Sequence, residues 1–237
     1  MGGGKIDIYL DIASLFSYVA FVDLCNSLDK LKENGVTVDF RPVFLGGINH
    51  ASGNKPPWSL EAKARYLQFD SARAVRRVGL SNIQSPPDMF AFGHTVSPLR
   101  ALHYIKANYP EHVFLSTIAY FLYKHWTPPN TKLADEEALR ATLEEATEKP
   151  TGGRKLFTKE DVAKIMDGRA AMKDALQNET QDALDKGAFG APWLWVTNSQ
   201  GESEPFFGSD RFNHVYQFLG INFNDVAVLA PATSAKL

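Results

Sequence analysis

KIDIYLDIASLFSYVAF, residues 5–21, joins a strand to a helix through a turn that carries two serines. Residues 5–12 alternate β-branched and aromatic side chains with polar ones, the period of a half-buried strand. From Ser14 to Leu31 the apolar residues Phe16, Val19, Ala20, Leu24, Leu28 and Leu31 recur at helical spacing. Ser14 and Ser17 are three apart, at a strand-to-helix junction where redox folds normally carry a pair of cysteines. The chain has one cysteine, Cys25, so an internal disulfide, a thiol redox pair and a cysteine-built zinc site are excluded. Cys25 falls within the helical pattern and reads as an inert core residue.

Downstream, ENG (33–35) marks a turn and VTVDFRPVF (36–44) a second strand, giving a βαβ unit with a parallel pair. The middle of the chain is helical in pattern, over 59–79, 96–107, 111–125, 135–147, 158–167 and 169–186. It is punctuated by Pro-Pro at 56–57, 86–87 and 128–129 and by Gly-Gly at 152–153. The pattern then returns to strands, at 191–198 and 204–208, joined by a polar turn as an antiparallel hairpin. A helix over 210–219 follows and ends at Gly220. The order β-α-β, helices, β-β-α predicts an α/β fold: a thioredoxin-like domain interrupted by a large all-helical insertion. Residues 1–45 and 187–223 would form the thioredoxin-like part, 46–186 the helical insertion and 224–237 a flexible tail.

With 237 residues, 44% hydrophobic and 22% charged, the chain has material for one large domain or two small ones. A net charge of −2 gives no reason to expect nucleic acid or an anionic membrane surface as a partner. No apolar run reaches the length of a membrane span. MGGGKIDIY (1–9) has neither the apolar core of a secretory leader nor the composition of a transit peptide. The six histidines lack metalloenzyme spacing, so no metal is expected. Neither a nucleophile elbow nor a phosphate-binding glycine pattern occurs. The chain ends APATSAKL (230–237), and Ala-Lys-Leu is a close variant of the peroxisomal Ser-Lys-Leu address.

Four stretches could carry chemistry. Ser14 is either a helix N-cap or a hydroxyl that donates to a thiolate brought by the substrate, at the positive end of a helix. In GAFGAPWLWV (187–196), Pro192 either opens a strand in the ordinary way or is the cis proline of thioredoxin-type folds, whose predecessor offers its backbone to an extended peptide. In GSDRF (208–212), Ser209 reads as an N-cap beside free N–H groups suited to a carboxylate, with Asp210 able to take an ammonium. In SGNKPPWSLEAKARY (52–66), Asn54 and Lys63 flank a Pro-Pro turn, and Lys63 could pair with a carboxylate or lie in solvent.

Taken in order, these motifs resemble the kappa-class glutathione transferases of the DsbA-like thioredoxin superfamily, relatives of the 2-hydroxychromene-2-carboxylate isomerases. DIASLFSY (11–18) is similar to that family's Asp-x-x-Ser-Pro-Tyr-Ser turn. RPVFLGGINHASGNKPP (41–57), GAFGAPWLWV (187–196) and FFGSDR (206–211) are similar to its Arg-Pro…Gly-Asn-Lys-Pro-Pro, Gly-x-Phe-Gly-x-Pro and Phe-Gly-Ser-Asp-Arg segments. The resemblance implies that Ser14 is the catalytic serine, contacting the sulfur of glutathione. It implies that Asn54 and Lys63 bind the glycyl end and backbone, and that Ala191, before cis-Pro192, holds the cysteinyl backbone. Ser209 and Asp210 would receive the γ-glutamyl group. Leu15 stands where the family has proline, which removes a rigid first helical residue and bears on how Ser14 is seated. The resemblance further implies glutathione as co-substrate, a hydrophobic electrophile, a homodimer, and a peroxisomal site reached through an import receptor, with the mitochondrion or cytoplasm as the alternative location. Glutathione peroxidase activity is expected beside the transferase, and a glutathione-dependent isomerase of the 2-hydroxychromene-2-carboxylate type and a non-catalytic thioredoxin-like binding module are the alternatives.

Overall fold

A computed structural model describes residues 3–226. Its main sheet has four strands in the order β2-β1-β5-β6, where β1 is Gly4–Leu10, β2 Val36–Pro42, β5 Trp193–Asn198 and β6 Ser203–Phe207. β1 pairs with β2 in parallel and with β5 antiparallel, and β5 pairs antiparallel with β6. The expected parallel pair and C-terminal hairpin are both present. A second, two-stranded sheet, β3 (Thr147–Lys149) and β4 (Gly152–Lys155), turns at Pro150-Thr151, and the Gly-Gly pair that sequence alone had read as punctuation opens β4.

Between β2 and β5 lie α2 (Leu45–Ser52), α3 (Glu61–Arg77), α4 (Met89–Phe92), α5 (Val96–Asn108), α6 (Glu111–Trp126), α7 (Glu136–Glu145), α8 (Lys159–Gly168) and α9 (Lys173–Asp185). Helix α1 (Leu15–Glu33) connects β1 to β2, and α10 (Phe212–Phe218) follows β6. Four of these depart from expectation, and α4 falls in none of the stretches read as helical. Helix α2 has no separate sequence signal, because its LGG start reads as a turn. Residues 169–172 form a 3-10 turn ahead of α9. Helix α10 begins at Phe212 with Arg211 as its N-cap, so Ser209 does not cap it, as the sequence had suggested.

The alternation in β1 divides the interior. Ile6, Ile8 and Leu10, all fully buried, face the large core with Leu24, Phe40, Phe121 and Leu194, each contributing about 1.5–3 kcal/mol by burial. Tyr9 points to the opposite face, into a smaller core with Val43, Ile48, Ala183, Ala188 and Trp193.

On that face the Tyr9 hydroxyl donates to Asp182 Oδ2 at 2.5 Å and accepts from the Arg41 guanidinium and the Lys186 ammonium, both at 2.7 Å. Arg41 and Lys186 also pair with Asp182, at 2.9 and 2.8 Å. Burial opposes the Asp182 charge, yet these donors outweigh it and hold its carboxyl below the usual range. The network seats α9 on the sheet, and α9 delivers the chain to the Gly187–Pro192 loop.

No helix among the described residues is long and apolar enough to cross a membrane, and none of their His, Cys, Asp and Glu side chains form a group of three that could hold a metal ion.

Candidate active site

At the end of β1 the chain turns into α1, and Ser14 sits at the junction in an extended conformation (φ −103°, ψ 115°) as the N-cap. Its Oγ accepts from the Ser17 N–H at 3.1 Å and donates to the Ala191 carbonyl at 2.9 Å. The first bond is the ordinary capping bond. The second reaches across to the loop before β5. Leu15 occupies the first helical position, and the serine is seated as a cap with leucine there.

The turn is braced from beneath. Asp11 is fully buried; it accepts from the Ala13 N–H at 3.0 Å, the Leu45 N–H at 2.7 Å and the Thr95 hydroxyl at 2.8 Å. Burial pushes its carboxyl up from 3.8 to about 6, against the pull of those three donors. The Trp126 indole N–H donates to the Ile12 carbonyl at 2.8 Å. One carboxylate therefore joins the Ser14 turn to the starts of α2 and α5.

Ala191–Pro192 is cis. The Gly187–Pro192 loop is held from the other side by Asn54, whose amide donates to the Phe189 carbonyl at 2.6 Å. Asn54 is thus already engaged as a loop tether. Gly190 passes close to the Phe207 ring, where a Cβ would lie 2.9 Å from a ring carbon.

These segments surround a cleft of about 720 Å³, which Ser14, Asn54, Lys63, Ala191, Pro192, Ser209 and Asp210 all line. The structure therefore brings together every residue that the sequence had singled out. Leu15, Phe16, Trp58, Leu67, Met89 and Trp126 give the cleft an apolar wall. Lys63 lies in the first turn of α3, and Ser209 and Asp210 lie in the turn after β6, where Asp210 forms an ion pair with Arg211.

Three contributors escaped sequence reading. Asp11 lies three residues before Ser14 in the quoted motif, and a charge where the strand meets the turn was its signal. Arg77 lines the cleft from the last turn of α3. A helical count from Lys63 along α3 would have found it. Trp126 had no signal beyond being an aromatic at a helix end. Cys25 is uninvolved: it is partly buried, and burial pushes its thiol up to about 12.

The arrangement can bind an extended peptide against the backbone beside Pro192 and place a group of that peptide at the Ser14 hydroxyl. Beneath that hydroxyl, the N-terminus of the 19-residue helix α1 presents free N–H groups and a partial positive charge. An anion formed at that point is favoured.

A family model for the DsbA-like thioredoxin domain matches residues 5–220. Glutathione S-transferase kappa 1 of Caenorhabditis elegans is 26% identical over 219 residues, which cover 91% of this chain and 90% of that protein. Glutathione S-transferase kappa 1 of Homo sapiens is 26% identical over 233 residues, covering 98% and 97%. Among solved structures, 2-hydroxychromene-2-carboxylate isomerase superposes with a TM-score of 0.69 at 20% identity, over 91% of this chain and 94% of that one. The resemblance drawn from the four motifs agrees with these likenesses.

Proposed function

The chain belongs to the DsbA-like thioredoxin family, and on that premise we propose that it is a glutathione transferase in which Ser14 activates the glutathione thiol. The observation that carries this reading is the Ser14 hydroxyl itself. It occupies the strand-to-helix turn where redox relatives need a thiol, and it donates to the Ala191 carbonyl in the wall of a cleft able to hold a tripeptide. The reactive sulfur is then the substrate's. The likeness to kappa glutathione transferases over nearly the whole chain supports the same assignment.

In the proposed mechanism the cysteinyl N–H of glutathione takes the Ala191 carbonyl, releasing the Ser14 hydroxyl from that acceptor. The hydroxyl turns to the sulfur while the Ser17 N–H keeps Oγ in place. The thiol proton passes to solvent. The thiolate then attacks an electrophilic carbon, forming a C–S bond as the leaving group departs with its electron pair.

A thiol of pKa ~8.5 is a few per cent ionised at neutral pH, and lowering it by about two units takes about 2.7 kcal/mol. A hydrogen bond to a charged group supplies about 1.5–3 kcal/mol and the α1 dipole about 0.3–1 kcal/mol more. Together they suffice, and no general base is required.

Lys63, Asn54, Ser209 and Asp210 are proposed to hold the ends of the tripeptide, and the apolar wall to hold the electrophile. The same thiolate would reduce a hydroperoxide to the alcohol, becoming a sulfenic acid that a second glutathione converts to glutathione disulfide and water, and that activity belongs to the proposal. So does a peroxisomal location through Ala-Lys-Leu (235–237), which lies outside the described residues.

The test is ultraviolet titration of thiolate absorbance in the glutathione complex. Wild type is expected to show a thiol pKa well below that of free glutathione, and Ser14→Ala to return it most of the way. Binding with an unshifted pKa in wild type would reduce Ser14 to a helix cap and the protein to a binding module.

A further inference from the structure

The turn proposed to receive the γ-glutamyl group lacks the anion site expected of it. Helix α10 starts three residues beyond Ser209, is capped by Arg211, and has only seven residues. A carboxylate beside Ser209 therefore needs a side-chain cation. Arg211 pairs with Asp210 and does not line the cleft. Arg77 is already at the turn: one guanidinium nitrogen donates to the Ser209 carbonyl at 2.9 Å, and another to Asp23 Oδ2 at 2.7 Å. Ser209 itself is buried, 3% exposed, so this contact fixes the turn from within. Of the five N–H groups of a guanidinium, two serve these acceptors and the rest remain available in the cleft that Arg77 lines.

The position of Arg77 along α3 fits a tripeptide. Lys63, Leu67, Asp70, Ala74 and Arg77 all line the cleft at i, i+4, i+7, i+11 and i+14, which is one stripe of a helix. Lys63 and Arg77 stand about 21 Å apart along the axis. An extended three-residue chain spans roughly 10–11 Å, and two long cationic side chains can close the rest from either end. No residue of α3 is buried, and this stripe lies open along the cleft.

We propose that Arg77 is a further substrate-binding residue, receiving the α-carboxylate of the γ-glutamyl group while it holds the Ser209 turn. The inference rests on the glutathione reading above. It makes α3 a two-cation ruler, with Lys63 at the glycyl end and Arg77 at the γ-glutamyl end. A guanidinium suits this place because it can serve a carbonyl and a carboxylate at once, in one plane.

The experiment is titration calorimetry of wild type, Arg77→Gln and Arg77→Lys with three thiols: glutathione, γ-glutamylcysteine and cysteinylglycine. Arg77→Gln is expected to raise the Kd for glutathione and γ-glutamylcysteine at least tenfold and to leave cysteinylglycine within twofold. Arg77→Lys, which keeps the charge and loses the fork, should fall between. Equal weakening for all three thiols would make Arg77 a scaffold residue and overturn the inference, as would no change for any. Absence of glutathione binding by wild type would overturn the glutathione reading and this inference with it.

Discussion

Asp11→Asn isolates the carboxylate beneath the Ser14 turn, and its effect on stability should depend on pH with a calculable sign. The Asp11 carboxyl is pushed up from 3.8 to about 6 because it is fully buried, and its three hydrogen-bond donors offset only part of that cost. A carboxyl with a folded pKa above its unfolded one binds its proton more tightly in the folded chain. The stability it contributes is fully present below about pH 3.8 and is lost as pH rises through about 6. The rise corresponds to about 3 kcal/mol in total, of which somewhat less than half falls between pH 5 and pH 7.5. Asparagine cannot ionise, so it lacks this slope. Its amide nitrogen must instead face a donor, either the Leu45 N–H or the Ala13 N–H and Thr95 hydroxyl pair, at a pH-independent cost of about 1–3 kcal/mol. Wild type alone would not reveal the effect. His103 and His125 are pushed down to about 4 by burial, and their contribution has the opposite course, present above about 6.5 and lost as pH falls through about 4. Subtraction of the variant removes them. Urea unfolding of both proteins at pH 5 and pH 7.5 should show the advantage of wild type over Asp11→Asn shrinking by about 1 kcal/mol at the higher pH. An advantage that stays constant would mean that Asp11 has lost its proton below this range, as it would if the donors outweighed burial, and would refute the reasoning.

Gly168→Ala should destabilise the fold by about 1–3 kcal/mol in the same assay, because the added Cβ would fall 2.1 Å from a carbon of the Tyr104 ring. A gain in stability, as helix propensity alone would give, would show that the ring moves aside freely. Removal of Ala235–Leu237 from the full chain, tagged at its N-terminus with a fluorescent protein, should change a punctate peroxisomal distribution in cells into a diffuse one. Diffuse fluorescence before the deletion would rule out the address.

The parts legible in the sequence are those where a local pattern and the tertiary structure ask for the same thing. β1, α1 and β2 could be read because the alternation of Ile6, Ile8 and Leu10 and the helical recurrence of Phe16, Val19, Ala20 and Leu24 are the patterns their packing requires. Seven candidate site residues converge on one cleft for a related reason: each lies at a turn or an element end, where serine, asparagine and proline leave strong local marks. Where a residue's role depends on a distant segment, the sequence was silent. Nothing local to Phe189 announces that its carbonyl will take the Asn54 amide 135 residues away, and nothing in Arg77 points to Ser209. Ser209 shows the converse, since Ser-Asp before an apolar run is the mark of a cap, yet the helix starts later, at Phe212. The role of that turn passed instead to a cation on α3, a helix whose own sequence is amphipathic but whose apolar face found no core. A helix so placed is free to serve the cleft. The assignment of Arg77 therefore follows from the failure of the simplest local reading at Ser209, because the carboxylate that reading provided for still needs a positive partner.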